Sequence, residues 1–180
     1  TGLMADQHTA TGERKTIELV DGSLLTINAR SAVHIEFTDG QRRVRLREGE
    51  LQVEVAADAG RPFVVVTAQG QVQALGTRFM VRQGTGESLA SVQQHSVQLN
   101  TLGGQQRRID TGQAVSFTAS QIDPQTPASR SQTDWLHGRV ELHDEPLSAL
   151  VDALAPYQTG KHSRRRCRSR SGPGHCPPEH

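Results

Sequence analysis

Aromatics, cysteine and long apolar runs are all scarce in this chain. Four Phe, one Trp and one Tyr are the only aromatic side chains among 180 residues, so Val, Leu and Ile must fill any core. No apolar run reaches the roughly 18 residues that a membrane-spanning helix needs. The first twenty residues lack the apolar stretch of a signal peptide. The chain opens at Thr1 rather than Met, and an upstream part is expected to have been removed. Both cysteines, Cys167 and Cys176, fall in the last twenty residues, so no disulfide or thiolate supports the body. A net charge of +1 with neutral histidines excludes a strongly charged tail protein.

That near-neutral total hides an uneven distribution. Residues 161–180 hold six Lys/Arg, one acid (Glu179) and no Val, Ile, Leu or Phe. Residues 1–160 then carry 14 basic and 18 acidic side chains, a net of −4. A stretch without apolar side chains cannot offset an ordering entropy of roughly 1–2 kcal/mol per residue, so 158–180 reads as a disordered basic tail. Its enrichment in Arg, Ser, Cys, Gly, Pro and His raises the hypothesis of an out-of-frame reading of GC-rich DNA, which resequencing would test.

What the body does have is alternation. Val33, Ile35 and Phe37 alternate with His34 and Glu36; Val44 and Leu46 alternate with Arg43, Arg45 and Arg47; Leu51, Val53 and Val55 alternate with Glu50, Gln52 and Glu54. Period two means strands with one face packed and one wet. Turn dipeptides separate the runs at Asp21-Gly22, Asp39-Gly40, Glu48-Gly49, Gln69-Gly70 and Gly103-Gly104. A two-residue turn at Glu48-Gly49 would pair Leu46 with Leu51, Val44 with Val53, Arg47 with Glu50 and Arg43 with Glu54. Asp39-Gly40 would pair Ile35 with Val44 and Glu36 with Arg43. At Asp21-Gly22 a three-residue loop that includes Ser23 would pair Leu19 with Leu25 and Ile17 with Ile27. Further strands are expected at 63–68, 71–75, 78–82, 88–93, 96–99, 107–109 and 114–117.

These runs predict a mainly β chain: an antiparallel all-β sandwich or roll of about ten short strands. The expected organisation is a disordered or extended start over 1–9, the β-domain over 10–120 and a polar linker over 121–133. A strand–helix fragment of a small α/β domain over 134–157 and the tail complete it. In that fragment Val140 and Leu142 form a strand, and Asp144-Glu145-Pro146 opens a helix. Leu147, Leu150, Val151 and Leu154 then fall at i, i+3, i+4 and i+7, an apolar stripe that one strand and one short helix cannot bury alone.

Several segments in order resemble a known family. Leu19-Val20-Asp21-Gly22-Ser23 with Ser31, Val44-Arg45-Leu46, Gly49-Glu50, Arg61-Pro62-Phe63-Val64-Val65 and Ala74-Leu75-Gly76-Thr77-Arg78-Phe79 are similar to the FecR-type domain, over about residues 9–100. Trp135 to Val140 and the Asp-Glu-Pro-Leu helix resemble that family's secretin/TonB-N-terminus-like C-terminal part, here truncated. The resemblance implies the periplasmic region of an inner-membrane regulator of iron-uptake sigma factors. It would relay a signal from the signalling domain of an outer-membrane TonB-dependent receptor by protein–protein contact. The sigma factor would be reached only through a cytoplasmic part that is absent here. Where the family has Glu-Gly in the hairpin after Val92, this chain has Gln94-His95. A positive φ at His95 would cost on the order of 1 kcal/mol relative to Gly.

Sites of chemistry are weak by comparison. His162, Cys167, His175, Cys176 and His180 are zinc-ligand types, but no paired-cysteine spacing occurs. His137, Arg139, Glu141 and His143 alternate as the wet face of the Val140–Leu142 strand. No Gly-x-Ser-x-Gly occurs, and the two glycine pairs fall in hairpin loops with no helix behind them. The strand arginines would be neutralised by Glu50 and Glu54 across the Glu48-Gly49 hairpin, which leaves no nucleic-acid surface. No catalytic residue, metal or cofactor is expected.

The candidate partner surface is Trp135, Val140, Leu142, Leu147, Leu150, Val151 and Leu154, for the receptor domain or for self-association through the incomplete C-terminal part. The alternative function is a noncatalytic envelope β-module for glycan binding or structural assembly. For its aromatic platforms only Trp135 and Tyr157 are available.

Overall fold

The computed structural model describes residues 3–129 and 134–137, together with Leu154 and Tyr157. The alternating runs form β1 (Leu3–His8), β2 (Lys15–Glu18), β3 (Leu24–Ile27), β4 (Ala32–Phe37), β5 (Arg42–Glu54), β6 (Phe63–Val66) and β7 (Gly70–Ala74). They continue as β8 (Arg78–Gln83), β9 (Ser88–Gln94), β10 (Ser96–Thr101), β11 (Gln106–Asp110), β12 (Gln113–Phe117) and β13 (Thr126–Pro127). One 3-10 turn, Asp134–His137, follows.

The mainly β class is as expected, with thirteen strands in one curled sheet. Its first half runs β1-β4-β5-β6-β7-β10-β11 and its second half β2-β3-β5-β8-β9-β12-β13. All pairings are antiparallel except β5 with β6. Strand pairing also reaches beyond 10–120 at both ends. Leu3–His8 pairs with β4, and Thr126–Pro127, in the stretch read as linker, pairs with β12.

Strand β5 belongs to both halves, which overturns the expected hairpin at Glu48-Gly49. Arg42 to Glu48 pair with β4, while Gly49 to Glu54 pair with β8. Leu46 and Leu51 therefore line different halves instead of facing each other. The register on β4 skips Arg47, which marks a β-bulge. Gly49 follows at φ 85, a conformation that favours glycine. A Cβ on Gly49 would lie 2.1 Å from Ser31 Oγ, so the absent side chain also admits the Ser31 contact. A bulge and a hairpin turn both invert the phase of the apolar alternation, and the sequence pattern fits either.

The other hairpins differ in outcome. At Asp39-Gly40 the structure pairs Ile35 with Val44 and Glu36 with Arg43, as expected. At Asp21-Gly22 the loop has three residues but is Val20 to Gly22, so Ile17 faces Leu25 and Lys15 faces Ile27. The Asp21 carboxylate explains the shift. It accepts from Ser23 N at 3.0 Å and Ser23 Oγ at 2.7 Å, which fixes Ser23 as the first residue after the loop.

One hydrophobic cluster takes its side chains from both halves. Val33, Ile35, Val44, Leu46, Val72 and Leu99 meet Leu25, Ile27, Leu51, Val53, Phe79, Val92 and Phe117. Each such side chain, once buried, contributes roughly 1.5–3 kcal/mol. Phe37 and Phe63 add an edge-to-face pair at 5.9 Å.

Candidate functional site

The outward faces of most strands are polar, but the second half carries an apolar patch on its outside. Its register builds one continuous row across six strands: Thr16, Thr26, Gln52, Met80, Ser91 and Ala114. The neighbouring row runs Glu50, Arg82, Leu89 and Ser116. Phe79-Met80-Val81 and Leu89-Ala90 are consecutive apolar residues, so these strands have an apolar group on both faces. Met80, Leu89 and Ala114 form a second cluster, separate from the core, and Trp135 packs onto it.

Trp135 is held there by its backbone as well as its ring. Arg14 Nη1 donates to the Trp135 carbonyl at 2.6 Å and also to the carbonyl of Leu136. Tyr157 Oη donates to Asn28 Oδ1 at 2.5 Å, and Asn28 Nδ2 donates to Glu50 Oε2 at 3.0 Å. The Glu50 backbone N–H is in turn fixed by Ser31 Oγ at 3.0 Å, beside the Gly49 bend.

Burial pushes the Glu50 carboxyl up to about 7, against the lowering pull of the Asn28 amide, the Arg82 guanidinium and the Trp135 indole. The indole N–H comes close enough to favour the carboxylate, yet it completes no full hydrogen bond. Burial also raises the Tyr157 hydroxyl; the Asn28 bond opposes this and the Glu50 charge adds to it.

Of the sequence-predicted surface residues, Trp135 is buried, 6% exposed, on its own chain's sheet. Met80, Leu89 and Ala114 offer it a seat, so in this structure Trp135 covers its own sheet. This also removes one of the two aromatics that a sugar-stacking platform would use. Leu154 is helical and half-buried. Val140, Leu142, Leu147, Leu150 and Val151 lie outside the described residues, as do Arg139, Glu141, His143 and the histidines and cysteines of the tail. Arg14, Asn28, Glu50 and Met80 were not anticipated. The unbroken Phe79-Met80-Val81 run was the available signal for a doubly covered strand.

The charge pairing expected across the Glu48-Gly49 hairpin is also replaced. Arg43 pairs with Glu36 at 3.7 Å, and Glu54 pairs with Arg78. Beside the Trp135 seat, a cleft of about 840 Å³ is lined by Arg30, Arg82, Glu48 and Glu87 among others. Of its hydroxyl groups, Ser88 Oγ donates to Gln69 Oε1 at 2.7 Å. Among the described residues no group of three or more His, Cys, Asp or Glu could hold a metal ion.

Comparison with known proteins gives a consistent picture. A family model described as FecR protein matches residues 5–98. Two crystal structures of a protein from Parabacteroides distasonis ATCC 8503, provisionally named an anti-sigma factor, are similar to this chain. One, at 2.50 Å resolution, has a TM-score of 0.75 and 26% identity, covering 86% of this chain and 75% of its own. The other, at 1.65 Å, has a TM-score of 0.74 and 26% identity, covering 85% and 74%. No curated protein matches the chain significantly.

Proposed function

The chain belongs to the FecR family, and from that premise we propose that it is the periplasmic region of a sigma-factor regulator that receives its signal by protein–protein contact. The family is one of regulators, and the similar structures carry an anti-sigma-factor name. No described helix is long and apolar enough to cross a membrane. The signal source is the signalling domain of an outer-membrane TonB-dependent receptor. The receiving surface is the stripe Leu147, Leu150, Val151 and Leu154, with self-association as its competitor. In the domain division the β-body takes in the paired strands Leu3–His8 and Thr126–Pro127, and the turn that opens 134–157 is anchored to it.

The seating of Trp135 on Met80, Leu89 and Ala114 carries this reading. It ties the start of the C-terminal part to a rigid sheet, as transmitting a docking event requires. Calorimetry of the chain with the receptor's signalling domain tests it. The expected result is a complex that Leu150→Asp weakens at least tenfold, about 1.4 kcal/mol. No binding by the unaltered chain, or equal binding by Leu150→Asp, overturns it. Light scattering of both forms reads self-association through the same stripe.

A further inference from the structure

We propose that the outer face of the second half-sheet is a proton-controlled seat for the Asp134–His137 turn and Tyr157: protonation of the Glu50 carboxyl favours the seated state, and its ionisation favours release. This goes beyond the docking reading and is independent of which partner binds.

The geometry places a carboxyl group beneath the seated groups. Trp135 covers the Met80–Leu89–Ala114 patch, and Leu89 lies in the same cross-strand row as Glu50 and Arg82. The Tyr157 hydroxyl reaches Asn28, whose amide holds the Glu50 carboxyl. A relay of two hydrogen bonds thus joins the seated phenol to the carboxyl.

The groups facing Glu50 come from every packed element. Asn28 follows β3 and is neutral; Arg82 on β8 is its register partner and acts through space; the Trp135 indole and the Tyr157 phenol close over it. Arg14, from the loop before β2, spends its Nη1 on the Trp135 and Leu136 carbonyls. A carboxylate in this setting loses water that these neighbours only partly replace. Lifting the turn and Tyr157 readmits that water.

The direction follows from linkage. Glu50 titrates near 7 when covered and returns toward 4.5 when uncovered. The seated state therefore holds its full advantage below the lower value. It loses up to about tenfold per pH unit as pH rises between the two, then stays level.

Trp135 is the only tryptophan, so its emission reports the seat directly. In the full chain, emission is expected to be blue-shifted and shielded from acrylamide at about pH 5. By about pH 8 it should be red-shifted with several-fold stronger quenching, while the far-UV β signal stays constant. Glu50→Gln is expected to flatten this profile and His137→Gln to retain it. Tyr157→Phe, which removes only the hydroxyl contact, is expected to move release to lower pH even if Glu50→Gln fails to fold. A flat profile in the unaltered chain overturns the proposal. So does a transition that survives Glu50→Gln, disappears in His137→Gln or does not move in Tyr157→Phe.

Discussion

Arg42 and Asp21 form an ion pair closed to water on both sides: Nη1 lies 2.6 Å from Oδ2, and the side chains are 3% and 2% exposed. Arg42 also donates to the carbonyls of Arg61 at 2.9 Å and Ala56 at 3.0 Å, and its guanidinium lies 5.5 Å from the centre of the Phe63 ring. The pair ties the β2–β3 loop to the start of β5. Removing one partner strands the other in a dry site, a loss of about 3–5 kcal/mol. Asp21→Ala is expected to lower stability by that amount in urea titrations followed by far-UV circular dichroism. Arg42→Lys is expected to approach the same loss, because an ammonium cannot reproduce the planar fork.

Acid should attack the same point. Burial pushes the Asp21 carboxyl up, but hydrogen bonds from Ser23 and Arg42 outweigh it and hold the group below the usual carboxylate range. A depressed folded value stabilises above the unfolded value of roughly 3.9, and that share disappears as pH falls through the folded one. Urea midpoints are expected to drop below about pH 4 in the unaltered chain. Asp21→Asn should be weaker at neutral pH and show a shallower drop.

Gly49 and Gly104 have nearly equal backbone angles, φ 85 and φ 87, but different surroundings. A Cβ on Gly104 meets nothing within 4 Å, whereas one on Gly49 collides with Ser31. Gly104→Ala is expected to cost about 1–2 kcal/mol, the left-handed penalty alone. Gly49→Ala should cost clearly more, since Ser31 must also give up its bond to Glu50 N. The difference between the two urea-derived stabilities measures the closeness of the β5 bend to Ser31.

His95 joins β9 to β10 at φ 57, but not as the expected hairpin: β9 pairs with β8 and β12, and β10 with β7 and β11. The side chain is exposed, and Thr111 reaches only its carbonyl, at 2.8 Å. Glycine keeps that bond and removes the strain, though it adds freedom to the unfolded chain. His95→Gly is expected to stabilise by about 0.5–1 kcal/mol, read as a higher thermal midpoint.

The strands were legible because their pattern is local. Val33, Ile35 and Phe37 face the core as their spacing implies, and the Asp39-Gly40 register follows from two flanking residues on each side. The route of β5 was not legible, because a bulge and a turn leave the same alternation. The phase of Val44 and Leu46 already pointed Arg42 inward. Its partner Asp21, however, lies 21 residues away in a loop with no periodicity. Glu50 reads as one more wet-face residue, since the groups that cover it come from Trp135 and Tyr157, far along the chain. Long-range contacts between dissimilar segments leave no trace in spacing.

The thirteen residues of β5 run without a break through two halves of one body. Such a shared spar leaves no seam along which the halves could part. Mechanical pulling or mild heating should meet a single all-or-none rupture, with no half-molten survivor that keeps one set of ribbons intact.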